Sequence, residues 1–226
     1  MRSTKVLLVV EILVIATVFH LDYIGLLPVS KTPYLFLLGW VSLRWRGLRW
    51  KDVGLTINRS LLKLVAIGLA VGVAMEGLEL FASQPVLVRL LNRAPDLHEL
   101  RPLVGNMKLL ILGIVLAWVL AAFGEETVWR GYLLNRCADV LGRSRAAWIV
   151  SAILITLLFG LAHFPQGVTG IIENGIDGAI LAGVYFAAGR NLIAPIIAHG
   201  IQDTVDVLLI YAGWYPGFEQ SAVLPS

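Results

Sequence analysis

The sequence predicts an all-α protein, a polytopic transmembrane bundle of about seven to eight helices, from three observations. Hydrophobic residues make up 58% of the chain, charged ones only 15%, and the apolar residues gather into runs of about 20, enough to cross the hydrocarbon core. With a mean hydropathy of +0.81, lipid rather than water is the solvent such a surface fits. No Pro/Ser-rich linker, low-complexity tract or internal repeat divides the chain, so residues 1–226 read as a single integral membrane domain. The one cysteine, Cys137, excludes an internal disulfide and supplies neither a zinc ligand set nor a CxxC pair.

The elements follow in order. Arg2 and Lys5 precede the apolar stretch Val6 to Phe19; no small-residue cleavage site follows, so a first membrane helix is expected over 6–27 rather than a signal peptide. A shorter run at 33–43 completes a hairpin, and longer runs follow at 60–82, 109–130, 146–163, 168–189 and 191–212, giving seven crossings. The 83–108 stretch, with Pro85, Pro95 and Pro102, is expected as a loop in which Leu97 to Leu100 could turn once.

Charge sets an orientation in the cell membrane. With the N-terminus cytoplasmic, inside segments hold thirteen cations: Arg2, Lys5, Arg44, Arg46, Arg49, Lys51, Arg59, Lys63, Arg130, Arg136, Arg143, Arg145 and Arg190. Outside segments hold five: Lys31, Arg89, Arg93, Arg101 and Lys108. The pI near 9.2 therefore reports topology rather than nucleic-acid binding, because the cations form no continuous stripe. The run from Arg44 to Lys51 alternates cation with aromatic or apolar residues, a pattern suited to anionic membrane lipid.

Ionisable side chains inside apolar helices are costly and point to function. Three helices carry them: Glu125 and Glu126 on one, His163 at the end of the next, and His199 with Asp203 on the last. Glu126 and Arg130 are i,i+4, which places them on one face, while Glu125 points about 100° away. Arg130 then neutralises Glu126 and leaves Glu125 free as a base for water, with His163 its partner. His199 and Asp203, again i,i+4, could hold a substrate carbonyl as negative charge develops on it. Phe159, four residues before His163, is expected to pack beneath the imidazole. Of the other intramembrane acids, Glu76, Glu79, Glu173 and Asp177 have no histidine on their own element, and they and Glu11 are expected to serve helix packing or to line a cavity.

At these residues the sequence resembles the CAAX protease and bacteriocin-processing family, also called the Abi family, of intramembrane glutamate proteases, and is similar to its type II CAAX prenyl endopeptidases. Glu125-Glu126-Thr127-Val128-Trp129-Arg130-Gly131 looks like the EExxxRG motif, Phe159 to His163 like FxxxH, and His199 to Asp203 like HxxxN with Asp in the final place. The resemblance covers about 109–212, the catalytic core. It implies that Glu125 and His163 activate water to cleave a peptide bond, that His199 and position 203 stabilise the oxyanion, and that no metal or other cofactor takes part. Glu126, Arg130 and Phe159 would support the site. The implied partner is a peptide or protein substrate, prenylated in some relatives, with membrane lipid around it and no nucleic acid. The cavity is expected to open toward the positively charged inside. The departure at Asp203 matters, since an amide can donate to an oxyanion and an ionised carboxylate cannot; Asp203 is either protonated or orients His199. Two other readings stay open. One is a zinc enzyme built on one Glu and two His, for which no HExxH helix is present; the other is a non-catalytic membrane scaffold or bacteriocin-immunity protein.

Overall fold

The computed structural model describes residues 2–57 and 60–218, with side chains from residue 6 onward. Arg59 and the side chains of Arg2 and Lys5, counted above toward the orientation, lie outside the described residues. Among the described residues, seven long helices follow one another: α1 (Arg2–Tyr23), α2 (Thr32–Trp45), α3 (Leu61–Leu91), α4 (Met107–Val140), α5 (Arg145–Leu161), α6 (Gly167–Ala187) and α7 (Ile193–Ala212). No strand occurs among the described residues.

Four of these, α1, α3, α4 and α7, are long and apolar enough to cross a membrane, and α5 with α6 form a pair bent by 55° that counts as a fifth broken span. The seven expected crossings are therefore not matched by seven full spans. At 14 residues α2 reaches only about 21 Å, short of the ~30 Å hydrocarbon core. Large apolar side chains such as Phe81, Ile111, Val119, Ile153 and Leu157 face outward on α3, α4 and α5, as a lipid-solvated surface requires and an aqueous one would not tolerate.

Two departures from the expected boundaries both involve π-helical turns. Helix α3 runs past residue 82 to Leu91 through a π-helical turn at Glu79–Ser83. The wider turn directly precedes Pro85, which has no N–H to keep an α-helical register. Helix α4 widens likewise, over Ala117–Glu125 and Thr127–Leu133, before returning to α geometry at Leu134. Only the middle of the 83–108 stretch is irregular. There a 3₁₀ turn, His98–Leu103, forms where a single turn was expected. Asp96 Oδ1 accepts from both the backbone N–H (3.2 Å) and Nδ1 (2.8 Å) of His98, and this bonding holds the Asp96 carboxyl below its usual range. Its contribution to the loop is present at neutral pH and is lost as pH falls through that lowered value.

The core gathers Val18 of α1, Leu35 of α2, Val128, Trp129 and Tyr132 of α4, Phe159 of α5 and Tyr185 of α6. Glu11, buried in α1, accepts from Ser42 Oγ, from Tyr132 Oη at 3.1 Å and from Arg136 Nε at 2.7 Å. It thus ties α1 to α2 and α4, the packing role expected of it. Arg136 is consumed by that ion pair, and Arg130 is buried too, so neither belongs to a cytoplasmic loop as the charge count assumed. In the Arg44–Lys51 run, Arg46 pairs with Asp139 at 2.7 Å and Trp50 stacks on Phe36 at 4.8 Å. These two side chains turn into the protein, and Arg44, Trp45, Arg49 and Lys51 remain exposed.

The most extensive helix pair is α3 against α7, and small residues make it close. A Cβ on Gly68 would lie 2.8 Å from the Ala194 carbonyl oxygen, and one on Gly72 would lie 2.6 Å from that of Ala198. Gly72→Val is therefore expected to destabilise the bundle by about 1–3 kcal/mol, read as a lower melting temperature in detergent, and to displace His199, the residue after Ala198.

Candidate functional site

Glu125, His163, His199 and Asp203 border one cavity of about 700 Å³. The three motifs, separated by up to 78 residues in sequence (203 − 125), are thus brought together by α4, the α5–α6 break and α7. The zinc reading is not met by this arrangement: among the described residues, only Glu76, Glu79 and Asp206 bring three such ligand atoms within 4.8 Å of one another.

Glu125 lies on the π-helical part of α4. Its Oε1 faces Thr32 Oγ1 at 3.5 Å, across Gly124, where a Cβ would meet the Thr32 methyl at 2.7 Å. Glu126 turns the other way and is fully buried. Its Oε1 accepts from Arg130 at 2.6 Å and from His199 Nδ1 at 3.0 Å. The expected Glu126–Arg130 pair is present, and Glu126 in addition orients His199. Arg130 also donates to the Gly178 carbonyl at 3.0 Å, and its guanidinium sits 4.6 Å over the Phe159 ring.

His163 stands at the bend between α5 and α6, where the last helical carbonyls have lost their normal donors. Its Nδ1 lies 2.8 Å from the Phe159 carbonyl oxygen. A carbonyl only accepts, so Nδ1 carries the proton and the neutral ring keeps its lone pair on Nε2. Phe159 packs against the imidazole, with ring centroids 4.9 Å apart, and also reaches His199 (6.4 Å) and Trp129 (5.2 Å). The expected platform under His163 therefore supports both histidines. Asp203 Oδ1 is 3.5 Å from His199 Nε2, so the ring lies between two acids, one at each nitrogen. Gly200 lets the Trp118 ring press flat beside His199, at 2.8 Å from where a Cβ would stand.

The N-terminal hairpin contributes what the motifs did not foretell. Lys31 Nζ donates to Asp22 at 3.0 Å and to the Ala162 carbonyl at 3.1 Å, next to His163. Glu79, Glu173, Asp177 and Asp206 border the same cavity. Gln202 links two of them, donating to Glu79 at 2.7 Å and to Asp177 at 3.2 Å. Asp206 was the overlooked acid; its spacing of seven from His199 and three from Asp203 puts it on their face of α7.

The cavity reaches one end of the bundle. It is bordered by Ser30, by Pro95, Leu97 and Glu99, and by Gln166, loops that meet through the Asp96 N–H to Gln166 carbonyl bond of 3.0 Å. The Arg/Lys-rich segments meet at the other end, where Arg46 binds Asp139 and Arg143 and Arg190 lie over Trp148. The cavity therefore extends to the end of the bundle opposite these segments, where the loops at Ser30, Pro95–Glu99 and Gln166 border it.

Fold and site together define a multi-pass membrane protein whose helices enclose a carboxylate–histidine cavity. The family model described as type II CAAX prenyl endopeptidase Rce1-like matches residues 107–205, a span that contains all three motifs. Through this part of the chain the protein is similar to that family. Neither a curated protein nor a solved structure matches the chain significantly.

Proposed function

We propose that the protein is an endopeptidase in which Glu125 and His163 activate a water molecule within the membrane. The observation that carries this reading is the single cavity bordered by Glu125, His163, His199 and Asp203. Water gives its proton to Glu125, with His163 Nε2 as the second acceptor, and its oxygen attacks the peptide carbonyl carbon. The oxyanion that forms takes a hydrogen bond from His199 Nε2–H. Glu126 holds Nδ1 of that ring, so donation at both nitrogens requires the imidazolium form. Asp203 in this account orients and charges His199 rather than donating itself. The tetrahedral intermediate then collapses, the C–N bond breaks and the proton held by Glu125 passes to the leaving amine. No metal is needed for these steps, and Glu125, His163 and His199 are not among the described residues that bring three ligand atoms within 4.8 Å of one another, which favours that form over the zinc one.

Prenylated C-terminal peptides are one substrate class, as the similarity to type II CAAX prenyl endopeptidases suggests. The protein is tested by incubating it, purified in detergent, with fluorogenic prenylated and unprenylated peptides. Cleavage lost in His163→Ala, by about 10²-fold or more, supports the reading. Full biological effect in that variant would instead favour the scaffold or immunity protein.

The Arg/Lys-rich end sets the cytoplasmic side by charge, and the cavity then opens on the other. Cysteines introduced at Arg49 and at His98 of a Cys137→Ser protein test this in intact cells. A membrane-impermeant thiol reagent is expected to label position 98 and spare position 49; the reverse pattern would invert the orientation.

A further inference from the structure

The acids beside the cavity outnumber what the proposed chemistry uses, and three of them are arranged around a common point. Carboxylate oxygens of Glu76, Glu79 and Asp206 all lie within 4.8 Å of one another. We propose that these three residues bind a divalent cation, calcium being the best match by size, and that the ion clamps α3 to α7 beside the catalytic histidine. Calcium takes oxygen ligands at about 2.3–2.6 Å, so two ligands on opposite sides stand up to about 5 Å apart and one ion can reach all three. Magnesium, at about 2.0–2.1 Å, spans less. The all-oxygen set suits hard cations over softer transition metals.

A second observation points to the ion independently of the clustering. Glu76 is 5% exposed, yet neither of its carboxylate oxygens has a hydrogen-bond partner, and Asp206 Oδ1 is likewise buried and unpartnered. Buried acids without donors are costly unless something neutralises them. No Lys or Arg among the described residues pairs with these three or with the nearby Glu173 and Asp177. Glu79 is prepared differently. Tyr215 Oη donates to its Oε1 at 2.6 Å and Gln202 to its Oε2 at 2.7 Å, which fixes the group as an acceptor with lone pairs to spare. Glu79 and Asp206 border the cavity, so an ion has a way in.

The site is separate from the peptidase reading, and its test needs no cleavage assay. Detergent-purified protein is stripped with EDTA, exchanged into chelator-free buffer and titrated with calcium and then magnesium. Bound metal is counted by elemental analysis, and melting is followed in parallel. The expected result is one calcium ion per chain, with melting raised by roughly 5 °C at saturation. Glu125→Gln keeps the uptake, whereas Glu76→Gln and Asp206→Asn lose it. Should either variant fail to fold, Glu76→Asp takes its place, and weakened uptake there supports the site. Stripped wild-type protein that takes up neither ion at about 1 mM would overturn the proposal, leaving protonated acids as the neutral form. Undiminished uptake in the Glu76 and Asp206 variants would overturn it equally.

Discussion

Glu125→Gln is expected to lower kcat by about 10²–10⁴-fold, the range a positioned general base supplies, while leaving the melting temperature within a few degrees of wild type. Glutamine keeps the shape of the side chain and an oxygen for Thr32 Oγ1, which lies 3.5 Å away, but it cannot take a proton from water. Glu125 has no ion pair among the described residues and is only partly buried, so losing its charge removes no core contact. Single-turnover cleavage beside a thermal melt separates the two effects. A variant that is folded and cleaves within about tenfold of wild type would show that proton transfer belongs elsewhere.

Arg130→Ala is expected to act oppositely, on the fold before the chemistry. Arg130 is 2% exposed and Glu126 0%, and removing one partner of such a pair leaves a buried charge at a cost of about 3–5 kcal/mol. His199 would be the one cation left against Glu126. The same change orphans the Gly178 carbonyl and removes the guanidinium from the Phe159 face. A fall in melting temperature of roughly 10 °C, or failure to accumulate, is the expected outcome. Arg130→Lys should rescue little, since a single ammonium cannot bond Glu126 and Gly178 with the fixed fork of a guanidinium. An unchanged melt in Arg130→Ala would contradict the ion-pair account.

Much of this was legible in the sequence, and particular residues show why. Spacing alone separated Glu126 from Glu125 through the i,i+4 relation to Arg130, and the π-helical turns of α4 left that pairing intact because side chains four apart still meet. Phe159 beneath His163 followed from the same geometry. Full crossings were overcounted because hydropathy marks an apolar run without its bend: α5 and α6 break by 55° at His163, and that break frees the histidine to turn back on Phe159. The charge count took Arg130 and Arg136 for loop cations, although each is held by a buried acid. Contacts across the fold carry no local signal at all. Thr32 beside Glu125, Lys31 on the Ala162 carbonyl and the gathering of Glu76, Glu79 and Asp206 required the helices to be assembled. The close approach of α3 and α7 had a sequence mark in Gly68 and Gly72, four residues apart, which the acidic residues on the same helix overshadowed.

Cleavage by this mechanism requires a peptide carbonyl to reach Glu125 and His199 together. The direct measurement is an experimental structure of the Glu125→Gln protein with a bound, uncleaved peptide substrate. The scissile carbonyl carbon should lie where a water on position 125 and His163 Nε2 stands about 3–3.5 Å from it, with its oxygen about 2.7–3.1 Å from His199 Nε2. A peptide bound with its carbonyl out of reach of His199, or held outside the cavity that these residues share, would contradict it.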